Sequence, residues 1–378
     1  MLGNRQLITD SACNISQLLQ PWTDHQFSTF QSVEPVPGNI YLFGRQQLID
    51  NKQRIMEMAE SGQYTVIFCD VCEGSWTLQS QVQMLGIESL ILQHKILLIS
   101  GGEQQTDYPY IQYDHFLIEI LNYETNVSEM QRIGEIFDRK QKPYKFLFLN
   151  GRARPHRKYL YERFRQLNLL DQSLWTMLES RPCFSQSFEL LDNDVDLMTT
   201  TSELQWLPKI YEVDRYQNSI ITPGPAKRAM VKPELFNHTW GEIYLRAEPY
   251  IDTYFSLVTE TVFEQPWPFR TEKIAKPLMM GHPFVVASGP GFYQDLHRLG
   301  FQTFGHVIDE SFDSIPNHRD RIERIITVVR DLCQQDLDSF LAECYTVCKY
   351  NQQHLQEIVP RLKAEFPERF INFMSHYE

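Results

Sequence analysis

The chain has 378 residues, 42% hydrophobic and 13% aromatic, which excludes intrinsic disorder and exceeds what one hydrophobic core holds, so two domains are expected. Thirty-five basic against 48 acidic residues give a net charge of −13, which argues against a general nucleic-acid binder. No apolar run reaches the roughly 18–20 residues of a transmembrane helix, the opening residues lack a signal peptide's apolar core, and seven cysteines are dispersed and odd in number; reduced thiols and a cytoplasmic location are expected.

Residues 1–37 are polar and mixed, with room for an edge strand or short helix. Asn39–Phe43 reads as a strand and Gln46–Ala59 as an amphipathic helix. Tyr64–Cys69 is a short β-branched apolar run, suited to a strand buried on both faces. It leads through Asp70-Val-Cys-Glu73-Gly74 into a helix ending near Met84. Ile91-Leu92 and Lys95–Ser100 supply further strand material, residues 127–139 form a helix, and Lys140–Pro143 reads as a linker. The alternation then restarts. Tyr144–Asn150 is a strand, Pro155–Leu167 a helix, and residues 170–240 are broken by prolines. Tyr254–Glu260 is a strand, Thr271–Gly281 a capped helix, and Phe284–Ser288 a strand. From Arg319 three helices run to the end, with breaks near Gln335 and Pro360. Alternating strands and helices predict two parallel α/β domains, 1–140 and 141–378, with a helical C-terminal tail and ligands at the carboxyl ends of the strands.

Two segments carry chemistry. Asn150-Gly-Arg152-Ala-Arg154-Pro-His156-Arg157 puts three arginines and a histidine at the start of a helix. That placement opposes the helix dipole unless an anion sits there. The plain alternative is a solvated basic turn. In Thr271-Glu272-Lys273, Thr271 is an N-cap and Lys273 joins the free first-turn amides as a phosphate site. Glu272 can accept hydrogen bonds from a sugar diol. The preceding strand ends Thr259-Glu260, placing another carboxylate at the same sheet edge, and Arg270 closes the loop before Thr271. These residues suggest a nucleotide-sugar pocket; alone, they are also an ordinary surface Glu–Lys pair, which contributes little.

Phe255–Glu260, Thr271-Glu-Lys273, Leu278, Gly281 and Val285-Val286 together resemble the donor-binding motif of inverting α-1,3-fucosyltransferases, and exostosin-type glycosyltransferases share a related pattern. The Asn150–Arg157 segment is similar to their strand–Asn–Arg entry into the same domain. The resemblance implies GT-B architecture, two Rossmann-like domains facing across a cleft, with acceptor in the first and nucleotide sugar in the second. It implies no metal and no cofactor, and a nucleoside-diphosphate sugar, GDP-fucose-like, as donor to a hydroxyl of a glycan or other acceptor. Glu272 would hold the ribose hydroxyls, while Lys273 and an arginine among 152, 154 and 157 would hold the diphosphate. Pro283 comes one position early, Pro277 lies inside the helix, and the loop 263–270 lacks the family's tyrosine.

Inversion needs a carboxylate to deprotonate the acceptor. Glu73, with Gly74 beside it, is the first choice for that base and Asp70 the second; helix capping is the alternative for Asp70. Other enzyme classes acting on sugar nucleotides, or a non-catalytic phosphate-binding module, would use the same anion site. Cys69-x-x-Cys72 reads as buried thiols; Cys344 and Cys348 lie one helical turn apart with Cys333 and His354 nearby, residue types that bind zinc but at a spacing that fits no usual zinc pattern. Asp192-Asn-Asp194 reads as a polar loop. The apolar face of residues 355–375 reads as packing across a domain, with weak peripheral membrane contact as the lesser alternative.

Overall fold

A computed structural model describes residues 5–9, 25–27, 34–71, 78–102, 106–122, 124–150, 154–177, 219–220, 230–231 and 245–375. Cys72, Glu73, Gly74, Arg152 and residues 192–196 lie outside the described residues. The chain is α/β and forms two compact units. One comprises Met1–Ile118 with Glu357–Glu378, the other Glu119–Gln356. The helices over 124–138 thus belong with the second unit, and the last stretch of the tail with the first.

In the first unit, β1 (Leu7–Thr9), β2 (His25–Phe27), β3 (Ile40–Phe43), β4 (Thr65–Asp70), β5 (Ile96–Ser100) and β6 (Ile111–Gln112) form a parallel sheet ordered β2-β1-β3-β4-β5-β6. Of the two strands within residues 1–37, β2 is the edge strand expected there and β1 lies inside the sheet. The strands are apolar on both faces because both faces are covered. Ile55, Met58, Leu78, Val82 and Leu90 pack on one side. On the other, Phe366, Phe370 and Met374 of the tail helix pack against Leu42, Ile67, Leu97 and Ile99.

In the second unit, β7 (Tyr144–Asn150), β8 (Ser173–Met177), β11 (Thr253–Thr259) and β12 (Phe284–Ala287) form a parallel sheet ordered β12-β11-β7-β8. β9 (Ser219–Ile220) and β10 (Met230–Val231) make a separate antiparallel pair. From β7 the chain crosses through the helix Pro155–Gln166 to β8, and from β11 through the helix Glu272–Met280 to β12. The two crossovers leave in opposite directions, so their right-handedness puts the two helices on opposite faces. Phe164 of the first packs on Phe146 and Phe148. On the other face Ser256 Oγ meets Nδ1 of His282, just after the second helix, at 2.9 Å.

Several local expectations are corrected. Ile91 and Leu92 close a helix, Glu88–Leu92, rather than a strand; so short an apolar run fits either state, and positive-φ Gly86 with Glu88 in the first turn favours the helix. The helix expected over 46–59 divides at Asn51 into Arg45–Asp50 and Lys52–Ser61. That over 127–139 divides into Glu124–Met130 and Ile133–Asp138. Pro360 breaks nothing: one helix runs from Leu337 to Ser375 with Pro360 and Pro367 inside. The lost backbone bonds are outweighed by the apolar face they carry, in which Ile358, Val359, Phe366 and Phe370 are all buried.

Candidate functional site

In an open parallel sheet, ligands bind at the carboxyl ends of the strands where the strand order reverses. In the second unit that point lies between β7 and β11. Asn150 is the last residue of β7, and Glu260 follows the last residue of β11. Thr259 Oγ1 donates to Asn150 Oδ1 at 2.7 Å, tying the two strand ends together. The N-terminus of the helix Pro155–Gln166 follows β7, and that of Glu272–Met280 follows β11.

Thr271 is the N-cap of the second helix, with its hydroxyl accepting from the Lys273 amide at 3.3 Å. The cap is anchored from behind. Glu260 accepts from the Thr271 amide at 3.1 Å, the Thr271 hydroxyl at 2.6 Å and the Thr261 amide at 3.2 Å. Glu260 is fully buried, and burial pushes its carboxyl above the usual range against the pull of Lys273 and Thr271. For Glu272 burial also pushes up, but the charge and hydrogen bond of Lys273, with Lys276 behind, hold its carboxyl below the usual range. Lys273 Nζ donates to Glu272 Oε1 at 2.6 Å and to Thr271 Oγ1 at 3.2 Å, and its side chain keeps 22% exposure. The site therefore holds a part-exposed cation paired with a buried, ionised carboxylate at the helix start, over a second buried carboxyl that fixes the turn.

The helix end is equally specified. The Gly281 amide donates to the Leu278 carbonyl at 3.3 Å and the His282 amide to the Pro277 carbonyl at 2.9 Å, the paired bonds of a Schellman cap, with Gly281 at φ 61°. Pro277 interrupts the ladder without ending the helix. Gln352 Nε2 takes up the Met279 carbonyl at 2.8 Å.

Not every basic residue expected to face a phosphate does so. Arg157 is 2% exposed, and its Nη2 donates to the carbonyls of Thr259 at 2.9 Å and Glu260 at 3.2 Å. It braces the end of β11 instead of facing an open anion position. His156 Nε2 donates to the Glu260 carbonyl at 3.0 Å, with its ring stacked on Phe263 at 5.1 Å. Burial, with Arg157 and Arg154 adjacent, pulls its pKa well below the ordinary value, so the imidazole is neutral. Arg270 is buried in an ion pair with Asp295. Arg154 is the N-cap residue of the Pro155 helix, in extended conformation. In the other unit, Asp70 ends β4 and is 7% exposed. The strand order there reverses between β1 and β3, one strand from β4.

Sequence reasoning missed Arg321, which ties the loop 261–271 to the segments at Ser288 and Ile315-Pro316. This residue is 1% exposed. It donates to the carbonyls of Ser288 at 3.0 Å, Phe263 at 2.5 Å, Ile315 at 2.7 Å and Pro316 at 3.1 Å. It also lies over the Phe263 ring at 4.5 Å. Its position in the apolar stripe of Ile322, Ile325, Val328, Val329 and Leu332 on the helix His318–Leu332 was the available signal.

Beyond β12 a cavity of about 590 Å³ opens beside Gly291, Tyr293, His297, Glu310 and Asp313. Asp313 Oδ2 accepts from the Tyr293 amide at 3.1 Å. That carboxylate fills the helix-start position an anion would take. Cys333, Cys344 and Cys348 are buried free thiols, each pushed up by burial. Among the described residues no helix is long and apolar enough to cross a membrane. Set against protein-family models, curated proteins and solved structures, the chain matches none.

Proposed function

We propose that the chain is a metal-independent inverting glycosyltransferase of GT-B type, moving a sugar from a nucleoside diphosphate, GDP-fucose-like, to an acceptor hydroxyl. One observation carries this reading. The Glu272–Lys273 pair stands at a capped helix N-terminus, at the carboxyl edge of a parallel sheet where its strand order reverses. The resemblance to the fucosyltransferase donor motif rests on these same residues. Lys273, at the positive end of this helix, would stabilise charge developing on the departing diphosphate. Glu272, ionised and partnered by Lys273, is suited to accept from ribose hydroxyls. A carboxylate of the N-terminal unit, Glu73 or Asp70, would take the acceptor proton.

The test is a thermal-shift panel with GDP, UDP, ADP, CMP and TDP, followed by nucleotide release from the matching sugar donor with and without acceptors. One nucleotide at about a hundred times its Kd should add roughly 2.7 kcal/mol, a rise of several degrees. Lys273→Ala and Glu272→Ala should lose that shift and the transfer while keeping the ligand-free melting temperature. A panel without any shift would overturn the proposal. Binding with no acceptor-dependent release would reduce it to a nucleotide-binding module.

A further inference from the structure

Central strands of a parallel sheet are covered on both faces, and β7, lying between β8 and β11, departs from this at one residue. Leu149 is 38% exposed, although Phe148 before it and Asn150 after it are buried at 0% and 1%. The register fixes which way it faces. Phe146 pairs with Phe255 and Leu147 with Ser256, so Leu149 continues the Leu147–Ser256 row. Ser256 binds His282 on the face of the Glu272–Met280 helix, whereas Phe146 and Phe148 pack on Phe164 on the other. Leu147 and Leu174, lower on the same face, are buried at 3% and 1%. The opening is therefore confined to the carboxyl end of β7. It lies on the face that carries Lys273, at the reversal of strand order.

We infer that Leu149 is a ligand-binding residue: the apolar floor on which the base or ribose ring of a nucleoside diphosphate lies while its phosphates meet Lys273. The inference rests on the nucleotide-site reading above and adds the ring's position to it. A part-exposed cation and an uncovered leucine on one face of the sheet, at its reversal of strand order, match a ligand with one anionic and one ring-shaped end. Inorganic pyrophosphate, which has only the first, should not sense Leu149.

The experiment is calorimetric titration of the full chain with GDP, UDP and ADP in turn, and with inorganic pyrophosphate. The proteins compared are wild type, Leu149→Ala, Leu149→Gln and Lys273→Ala. Replacing Leu149 should weaken the nucleoside diphosphate that binds by about tenfold and leave pyrophosphate unchanged, with an unaltered thermal midpoint because the side chain is solvent-exposed. Lys273→Ala should weaken both ligands. Equal nucleotide affinity in wild type and both Leu149 variants would overturn this inference alone, as would an equal loss of pyrophosphate. Wild type binding none of the ligands would overturn the nucleotide-site reading and this inference with it.

Discussion

Glu260 and Glu272 are chemically identical and lie at the two ends of one loop, yet their surroundings drive them apart. Burial dominates for Glu260, whose carboxyl is raised, and its role is to accept the three donors that set the Thr271 turn. Lys273 reverses the effect of burial for Glu272 and keeps it ionised although it too is buried. Separation of paired acids in this way is how one site assigns two roles to one residue type. The sequence placed both carboxylates at the same sheet edge, but their division of labour depends on which is covered, and that is a tertiary property. Arg321 holds the middle of the loop, at the carbonyl and ring of Phe263. Burial pulls its guanidinium down to about 10, so it stays protonated at neutral pH and keeps all its donors. Arg321→Met should leave the carbonyls of Phe263 and Ser288 buried without partners, at a cost of about 3 kcal/mol or more. A fall of about 6–12 °C in the thermal midpoint is expected. An unchanged midpoint would show that the loop holds its shape without the clamp.

At the scale of elements, the helix Glu272–Met280 was readable because its start and stop signals are local. Thr271, Gly281 and the following Pro283 each act within a few residues of their own position. What packs against the helix end was not readable. A Cβ added to Gly281 would lie 2.2 Å from Ile133 Cδ1, a contact between residues remote in sequence. Gly281→Ala therefore meets two penalties, the left-handed backbone at φ 61° and the Ile133 side chain. The first is about 1–2 kcal/mol, and the clash raises the total to about 2–3 kcal/mol. In an Ile133→Ala background the clash is gone, and Gly281→Ala should cost only about 1–2 kcal/mol. Urea denaturation of the four proteins measures this coupling, and strictly additive losses would rule out the clash. The same contrast explains Pro360, where a strong local breaking signal is overruled by the buried face of Ile358, Val359, Phe366 and Phe370. It also explains β8, which forms inside a stretch whose sequence is dominated by prolines further on. Its pairing partner, β7, supplies what the local pattern lacks.

Across the molecule, the alternation of strand and helix made the parallel α/β class legible, because each strand buried on both faces writes an apolar run. Strand order was not legible, since it depends on which neighbour each crossover reaches; both sheets turn out to reverse direction once, and β1 is interior. Tight burial has a further consequence, carried by His156 and His282. His282 holds Ser256 Oγ on Nδ1 and donates from Nε2 to the Thr253 carbonyl at 3.0 Å, and burial lowers its pKa to about 3. His156 is likewise held neutral, its pKa well below the ordinary value. Above about pH 6.5 both are neutral whether folded or unfolded, so neither makes stability depend on pH there. Below it the unfolded chain takes up protons that the folded chain refuses, and stability falls with acidification towards pH 3 for His282. Between pH 7 and pH 5.5 each histidine should remove about 1 kcal/mol. Glu260, Glu310 and Asp313, whose carboxyls are raised by burial, act in the opposite sense, holding protons in the folded state that the unfolded chain releases as pH rises. The raw pH profile mixes both contributions, so the comparison to make is between wild type and His282→Gln, whose amide can still donate to the Thr253 carbonyl. That variant should be less stable at pH 7 but lose about 1 kcal/mol less on going to pH 5.5. Parallel denaturation profiles for the two proteins over that interval would show that His282 takes up its proton without unfolding.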